Sequence, residues 1–378
     1  MIDERYIRQA RLPEVGAEGQ KKLAAASVLI VGAGALGLPA AMALTAAGVG
    51  RISLVDGDRV ERSNLHRQFL YTDSDIGKPK TETAARRLRA MNPGTTVVEH
   101  QGYLRAGNAV CIARGHDVII DAADNFPARY LCNDLGFHLG IPVAHASILR
   151  FSGQIMMLAP HLGGPCYRCL WPTPPEAGVV PGCAEAGVIG ALPGILGNWQ
   201  AMETIKWLLG AGTPLVNRLI AIDTLSGSIR TLKTAADPHC PLCSGPRNPE
   251  LLRDEDATCG APWARPHSSH SSARKGDGIS CRELASRLAA PDSCLLVDVR
   301  EPGERALGTI PGSLAVPMRE LDASFDKLCR QAGQGCEIIF FCQSGLRSAR
   351  ASALFQKSGF PRCRNLEGGY EAWLKLKT

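Results

Sequence analysis

Four consecutive apolar residues, Val28-Leu29-Ile30-Val31, run straight into a glycine-rich turn and then into the helical stretch Leu38 to Ala47. An unbroken apolar run bounded by a turn reads as a strand buried on both faces. The alternation continues downstream. Arg51 to Val55 predicts a strand, Lys78 to Met91 a helix stopped by Asn92-Pro93-Gly94, and Asp117 to Asp121 and Pro142 to Ala146 two further strands. Strands alternating with helices predict an open parallel α/β sheet. Residues 163 to 183, rich in Gly, Pro and Cys, predict no regular element. Gly187 to Leu209 predicts a helix kinked or interrupted at Pro193, and Leu219 to Lys233 a hairpin around Ser226-Gly227.

The pattern lapses between Cys259 and Asp277, where His267-Ser268-Ser269-His270-Ser271-Ser272 has no apolar periodicity. Such composition predicts a flexible linker. A second α/β unit follows, with strands at Cys294 to Val299 and Glu337 to Phe341. The expected organisation is a first domain over 1–250, a linker over 251–276 and a second domain over 277–378. A chain of 378 residues is long for one core and comfortable for two.

Composition narrows the partners. A formal net charge of +6 without a Lys/Arg stripe interleaved with aromatics does not point to nucleic acid. Arg86, Arg87 and Arg89 fall on a helical pattern and read as a solvated face. No apolar stretch reaches the ~20 residues of a membrane helix, and Met1 to Arg11 is polar rather than a targeting segment. Without such a segment, 14 cysteines point to a reducing compartment, and a cytoplasmic location is expected.

Gly32-Ala33-Gly34-Ala35-Leu36-Gly37 is a G-x-G-x-x-G between a strand and a helix. Its glycines let backbone approach a phosphate, and the helix N-terminus supplies N–H donors. Asp56 ends the next strand, where an acidic residue takes a ribose hydroxyl. Alone this would suit an NAD-dependent oxidoreductase. The residues that follow suit other chemistry: Asp58, Ser63-Asn64-Leu65-His66-Arg67-Gln68, Lys80 and Asp124-Asn125. Cations there stabilise charge building on a pyrophosphate, and a carboxylate can hold Mg²⁺.

Over residues 3 to 245 the sequence resembles the MoeB/ThiF family, bacterial relatives of ubiquitin-activating enzymes. The resemblance rests on Arg5-Tyr6-Ile7-Arg8-Gln9, the glycine loop, Ser63 to Gln68, Lys80, Asp124-Asn125, Cys166-Tyr167-Arg168-Cys169 and Ala184-Glu185-Ala186-Gly187-Val188. It implies a Rossmann-like adenylation domain in which ATP adenylates the C-terminal glycine of a small ubiquitin-like carrier protein. It also implies Gly34 and Asp56 at the nucleotide, and Asn64, Arg67 and Lys80 toward the phosphates. Asp124 would sit at Mg²⁺, and Arg8 would reach into the partner subunit's site of a homodimer.

Cys166-x-x-Cys169 and Cys240-x-x-Cys243 form a paired set, and four thiolates suit a tetrahedral zinc with no open position, hence a structural one. Cys183 lies in an irregular stretch, and the family resemblance implies a covalent link there to the activated carrier; an exposed loop thiol is the alternative reading. Cys111, Cys132, Cys281, Cys294, Cys329, Cys336 and Cys363 read as small packing residues.

In the second unit, Cys342 stands between the strand Glu337 to Phe341 and the helix Ala349 to Lys357, in the loop Cys342-Gln343-Ser344-Gly345-Leu346-Arg347-Ser348. Backbone N–H groups at a helix N-terminus favour a thiolate, Gly345 lets the loop close around the sulfur, and Arg347 adds positive charge. Over residues 277 to 375 this unit resembles the rhodanese family, whose loop cysteine carries a persulfide. Leu296 to Pro302, Ile310-Pro311-Gly312-Ser313 and Asn365 to Tyr370 match its other motifs. Thr309 stands where many members have His, at a position that is structural rather than nucleophilic. A phosphatase loop is the runner-up, but such loops usually place one more residue between Cys and Arg.

Together the halves predict adenylation of a carrier's C-terminus followed by sulfur transfer from a Cys342 persulfide, giving a carrier thiocarboxylate. A cysteine desulfurase or similar donor would load Cys342. Two other readings stay open on the sequence: the NAD-dependent oxidoreductase, and a non-catalytic scaffold that only binds a ubiquitin-like protein.

Overall fold

The computed structural model describes residues 3–175, 187–255, 278–288, 294–333 and 336–377. Cys183 lies outside them, as do residues 256–277 of the expected linker region. The chain forms two compact units.

In the first unit the strands are β1 (Ser27–Val31), β2 (Arg51–Asp56), β3 (Thr96–Gln101), β4 (Val118–Asp121), β5 (Val143–Leu149), β6 (Ser152–Leu158), β7 (Arg218–Asp223) and β8 (Ser228–Lys233). They form one sheet in the order β3-β2-β1-β4-β5-β6-β7-β8. Pairing is parallel from β3 to β5 and antiparallel from β5 to β8. The helices are α1 (Gly16–Ala25), α2 (Gly37–Ala47), α3 (Lys80–Met91), α4 (Ala106–Ala113), α5 (Phe126–Leu139) and α6 (Ala191–Leu209), besides shorter turns.

The apolar run of β1 follows from this layering. Successive strand residues point to opposite faces, and both faces are covered. Val28 and Ile30 pack in a core with residues of α2, α3 and α6. Leu29 and Val31 pack in a second core with α4 and α5. Chain order reverses between β1 and β4, which opens a crevice at their carboxyl ends, the usual ligand position in such sheets.

The second unit contains β9 (Gly278–Ile279), β10 (Cys294–Asp298), β11 (Leu314–Ala315), β12 (Glu337–Phe341) and β13 (Cys363–Leu366). These pair in parallel in the order β11-β10-β12-β13-β9. Its main helices are α7 (Cys281–Leu288), α8 (Phe325–Ala332), α9 (Leu346–Lys357) and α10 (Gly369–Lys377). Ile338 and Phe340 face one core and Ile339 and Phe341 the other. Among the described residues, no helix is long and apolar enough to cross a membrane.

Several expectations are corrected. The parallel sheet expected over 27–145 and the hairpin expected over 219–233 are both present; what was not expected is β6, an antiparallel strand that joins the two into one sheet. Helix α3 starts at Lys80, with Pro79 as an extended cap, as the ring of proline disfavours a preceding helical residue. Pro193 falls in the first turn of α6 and does not interrupt it, since first-turn N–H groups lack helical partners anyway. Arg86 and Arg87 are not simply a solvated face: both pair with Asp75, whose side chain is 1% exposed. Arg89 reaches Val97 O at 2.6 Å and Glu99 at 3.0 Å. Cys111 is exposed rather than a packing residue. Residues 251–255, expected as linker, are packed: Leu252 is buried, Asp254 accepts the Ala106 N–H at 2.9 Å, and Glu255 pairs with Arg168.

Candidate functional site

The glycine loop after β1 closes onto the start of α2. Gly32 adopts φ +106°, and a Cβ on Gly37 would stand 1.8 Å from the Gly32 carbonyl oxygen, so only glycine allows this approach. Beside the loop lies a cleft lined by Gly32, Gly34, Asp56, Asp58, Arg67, Gln68, Lys80, Tyr103, Asp124, Asn125 and Arg129 among others. Most enter from the end of a strand or the start of a helix at the crevice; Arg67 and Gln68 come from the connection between β2 and α3.

The acidic side is held by backbone and by Lys80. Asp56 accepts the Ala33 N–H at 2.7 Å and the Asp58 N–H at 2.8 Å. Burial pushes Asp56 up, against the pull of Lys80. Asp58 behaves oppositely: burial would raise it, but the Lys80 ammonium at 2.8 Å and the Tyr103 hydroxyl at 2.7 Å hold it below the usual range. Lys80 is itself buried, yet Asp56 and Asp58 outweigh that burial and keep it charged. Tyr71 braces the loop from behind, its hydroxyl 2.9 Å from Ala33 O and 3.1 Å from Lys80 O.

Arg67 donates to Ser63 O at 2.8 Å and lies 2.8 Å from His66 Nε2. Burial and the adjacent Arg67 push His66 down, so its Nε2 accepts. Gln68 is buried, and its Oε1 has no hydrogen-bond partner among the described residues. Asp124 is exposed at the cleft and takes a bond from Asn125 Nδ2 at 3.3 Å, while Asn125 caps α5 through the Ala128 N–H at 3.0 Å.

The structure thus brings most of the expected nucleotide residues together. Ser63, Asn64, Leu65 and His66 are not part of the cleft lining; Asn64 is buried and accepts the Glu61 N–H at 3.1 Å, building the loop that presents Arg67. Arg8 sits on the exposed turn Ile7–Ala10 and is also absent from the lining. Sequence reading missed Tyr103 and Arg129. Tyr103 follows β3, a strand not anticipated; Arg129 lies one helical turn past Asn125, a spacing that could have revealed it.

The four paired cysteines converge. Cys166 and Cys240 sulfurs lie 3.4 Å apart, Cys169 and Cys243 also 3.4 Å, and Cys166 and Cys169 3.7 Å. All four sulfurs lie within 4.8 Å of one another. Thiolates at ~2.3 Å from a tetrahedral zinc stand about 3.8 Å apart, so the cluster fits that ion. Burial and neighbouring sulfurs push Cys166 and Cys243 up; four thiolates so crowded need a cation among them.

In the second unit Cys342 is fully buried, and its Sγ accepts the Gly345 N–H at 3.2 Å and the Ser348 hydroxyl at 3.4 Å. Gly345 adopts φ +94° to turn its N–H inward. The segment Gly368-Gly369-Tyr370 supports the loop from outside: Tyr370 N–H donates to Cys342 O at 2.8 Å and Glu371 N–H to Gln343 O at 3.1 Å. Arg347 makes a two-pronged pair with Glu304 at 2.8 and 2.6 Å, so its charge is shared with a carboxylate. Thr309 donates to Asp298 at 2.7 Å, and Asp298 in turn holds Arg300. Thr309 is a structural residue here.

Comparison with known proteins agrees with both halves. Residues 6–242 match the model of the ThiF family and residues 280–376 that of the Rhodanese-like domain. A Thermus thermophilus "Sulfur carrier protein adenylyltransferase" is 49% identical over 68% of this chain and 96% of its own length. "Probable adenylyltransferase/sulfurtransferase MoeZ" of Mycobacterium tuberculosis is 38% identical over 98% of this chain and 92% of its own. "Adenylyltransferase and sulfurtransferase MOCS3-2" of Zea mays is 36% identical over 98% and 78%. Among solved structures, E. coli MccB with ATP has a TM-score of 0.56 at 24% identity, covering 64% of this chain and 75% of that one, which shows the fold. The chain therefore belongs to the ThiF family, continued by a Rhodanese-like domain, and is an enzyme of the combined adenylyltransferase and sulfurtransferase class.

Proposed function

We propose that this enzyme adenylates the C-terminal glycine of a ubiquitin-like sulfur-carrier protein and then converts it to a thiocarboxylate with sulfur from Cys342. The observation that carries the reading is the cleft itself. Around one glycine loop it gathers Arg67, Lys80 and Arg129 with Asp56, Asp58 and Asp124. Hydride transfer has no need of that charge; attack of a carboxylate on an α-phosphate does.

Gly34 takes the phosphates, Asp56 the ribose, and the buried acceptor of Gln68 a nucleotide donor. Arg67 and Lys80 neutralise the pyrophosphate as it leaves. Asp124 and Asp58 would hold Mg²⁺, which supplies Lewis-acid charge on the phosphates. The carrier carboxylate displaces pyrophosphate, making a mixed anhydride with AMP. The Cys342 persulfide, loaded by a cysteine desulfurase or another donor, attacks the acyl carbon, and AMP departs. A thiol, Cys183 or one from solution, then attacks the Cys342 sulfur of the acyl disulfide. The carrier thiocarboxylate leaves, and a dithiol reductant restores the resulting disulfide.

The reading includes a homodimer in which Arg8 serves the partner's cleft; its exposure and its absence from the lining of its own cleft support this. It also takes residues 256–276 as the tether that lets Cys342 reach the adenylate, raising its effective concentration.

The test is mass spectrometry of a ubiquitin-like carrier incubated with the enzyme, MgATP and a persulfide donor. A gain of roughly 16 Da, oxygen replaced by sulfur in acyl transfer, is expected. An unchanged carrier together with no ATP–pyrophosphate exchange would overturn the assignment.

A further inference from the structure

The bond between Asp58 and Lys80 has a third member. Strands β2 and β3 pair in parallel with Asp56 opposite Gln101, and the Gly102 N–H carries the pairing on to Asp56 O at 3.1 Å. Just past the strand ends, that register sets Tyr103 beside Asp58. The Tyr103 hydroxyl donates to Asp58 Oδ1 at 2.7 Å, and Asp58 Oδ2 accepts from the Lys80 ammonium at 2.8 Å. One carboxylate thus holds a phenol with one oxygen and an ammonium with the other. All three residues line the cleft.

Tyr103 is itself fixed from two sides. Gly57 passes directly against its ring: a Cβ there would stand 2.7 to 2.9 Å from three ring carbons, so any larger residue would push the ring away. Asn108, in the first turn of α4, donates to Tyr103 O at 3.0 Å and accepts the Arg105 N–H at 2.8 Å, which closes the turn behind the tyrosine. Burial and the Asp58 carboxylate push the Tyr103 hydroxyl well above its ordinary range, so it remains a donor.

Lys80 needs this support at its tip rather than at its base. Its backbone N–H donates to Asp58 O at 3.0 Å, and its own carbonyl accepts the Tyr71 hydroxyl at 3.1 Å, so the start of α3 is secured without the side chain. A flexible four-carbon stem separates that anchor from the ammonium, and the acceptor the structure gives the ammonium is Asp58. The Asp58 side chain is 40% exposed, and a carboxylate bonded through one oxygen only would be free to turn. The Tyr103 hydroxyl on its other oxygen stops that rotation. An ammonium has three donors, so the one spent on Asp58 leaves two for phosphate oxygens.

We propose that Tyr103 is a positioning residue for Lys80: acting through Asp58, it sets where the ammonium stands as charge builds on the leaving pyrophosphate. A cation stabilises that charge only if it is already in place, because moving it during the reaction costs part of the gain. The inference rests on the cleft being the ATP site.

A double-mutant cycle on the full chain tests it, with MgATP affinity by calorimetry and ATP–pyrophosphate exchange measured with a ubiquitin-like carrier protein. Tyr103→Phe removes the hydroxyl and leaves the ring against Gly57. It should lower kcat for exchange about tenfold, the scale of a lost hydrogen bond to a charged group. The KM for ATP should change by less than about threefold, since the interaction counts mainly in the transition state. Added to Lys80→Ala, Tyr103→Phe should cost nothing more, because the group it positions is gone. An unchanged kcat in Tyr103→Phe, or a further loss on the Lys80→Ala background, would overturn the positioning role. So would a change confined to KM, which would make Tyr103 a wall of the nucleotide pocket instead. A parent enzyme that binds no MgATP would overturn the nucleotide reading itself, and this inference with it; a parent that binds MgATP beside an unaffected Tyr103→Phe overturns this inference alone.

Discussion

The two units hold negative charge in opposite ways. In the cleft the stabilising groups are side chains, Lys80, Arg67 and Arg129, each secured by other side chains or carbonyls. At Cys342 the donors given by the structure are the backbone N–H of Gly345 and the short Ser348 hydroxyl, and Arg347 is committed to Glu304. Side-chain charges suit a substrate whose phosphates are several ångströms apart and whose charge changes during reaction. A backbone N–H and a short hydroxyl suit one sulfur atom, with little to reorganise. The first kind of site is adjustable and needs a brace; the second is rigid and needs glycine.

The largest effect that sharpens the contrast is complete separation of the two chemistries. Cys342→Ala should abolish carrier thiocarboxylate while ATP–pyrophosphate exchange continues; loss of both would mean the sites are not independent. Next, Lys80→Ala should lower exchange by ~10²–10³-fold, as for loss of one charge-stabilising donor, while Cys342 still takes sulfur from a small donor. A matching loss at Cys342 would break the comparison.

How securely such side-chain charge is held near the start of α3 is testable through Asp75, which pairs with Arg86 and Arg87 of that helix. It accepts the Thr72 N–H at 3.0 Å and hydroxyl at 2.9 Å, and faces Arg86, Arg87 and Lys78. Burial alone would raise its carboxyl, but those bonds and cations hold it below the usual range. Asp75→Asn should cost about 1–2 kcal/mol at neutral pH, the scale of hydrogen bonds to a charged group whose cationic partners are partly exposed. Because the native value is depressed, the advantage of the parent is complete above the unfolded value of ~3.9 and disappears as pH falls through the lower native one. Thermal unfolding of both proteins from pH 7 into the acid range measures it; a difference independent of pH would show that charge is not the brace. The smallest effect is in the rigid site. Gly345→Ala should destabilise the second unit by about 1–2 kcal/mol, the cost of a left-handed residue with a Cβ, and slow sulfur loading. An unchanged melting temperature would show the loop to be less constrained than its φ of +94° implies.

Much of this was legible in the chain because it is local. Val28 to Val31 could only be a strand covered on both faces, and the glycines after it only a tight turn into a helix. Cys342 is likewise explained by its own loop. Arg87 misled because its partner Asp75 lies off the helix, where periodicity says nothing. β6 escaped notice because Gly153 and Gln154 blur its alternation, and residues 251–255 because an acidic stretch packs here through Arg168 and the Ala106 N–H.

The sequence by itself determined most of the elements, the glycine loop, the cysteine pairs and the Cys342 loop, since each depends on residues a few positions apart. Only the tertiary structure decided which charges neutralise one another, that Asp58 rather than Asp56 holds Lys80 at 2.8 Å, and that the two distant cysteine pairs converge on one point. Those are contacts between distant segments. Their strength depends on burial and on ångström-scale distance, and neither is written in spacing along a chain.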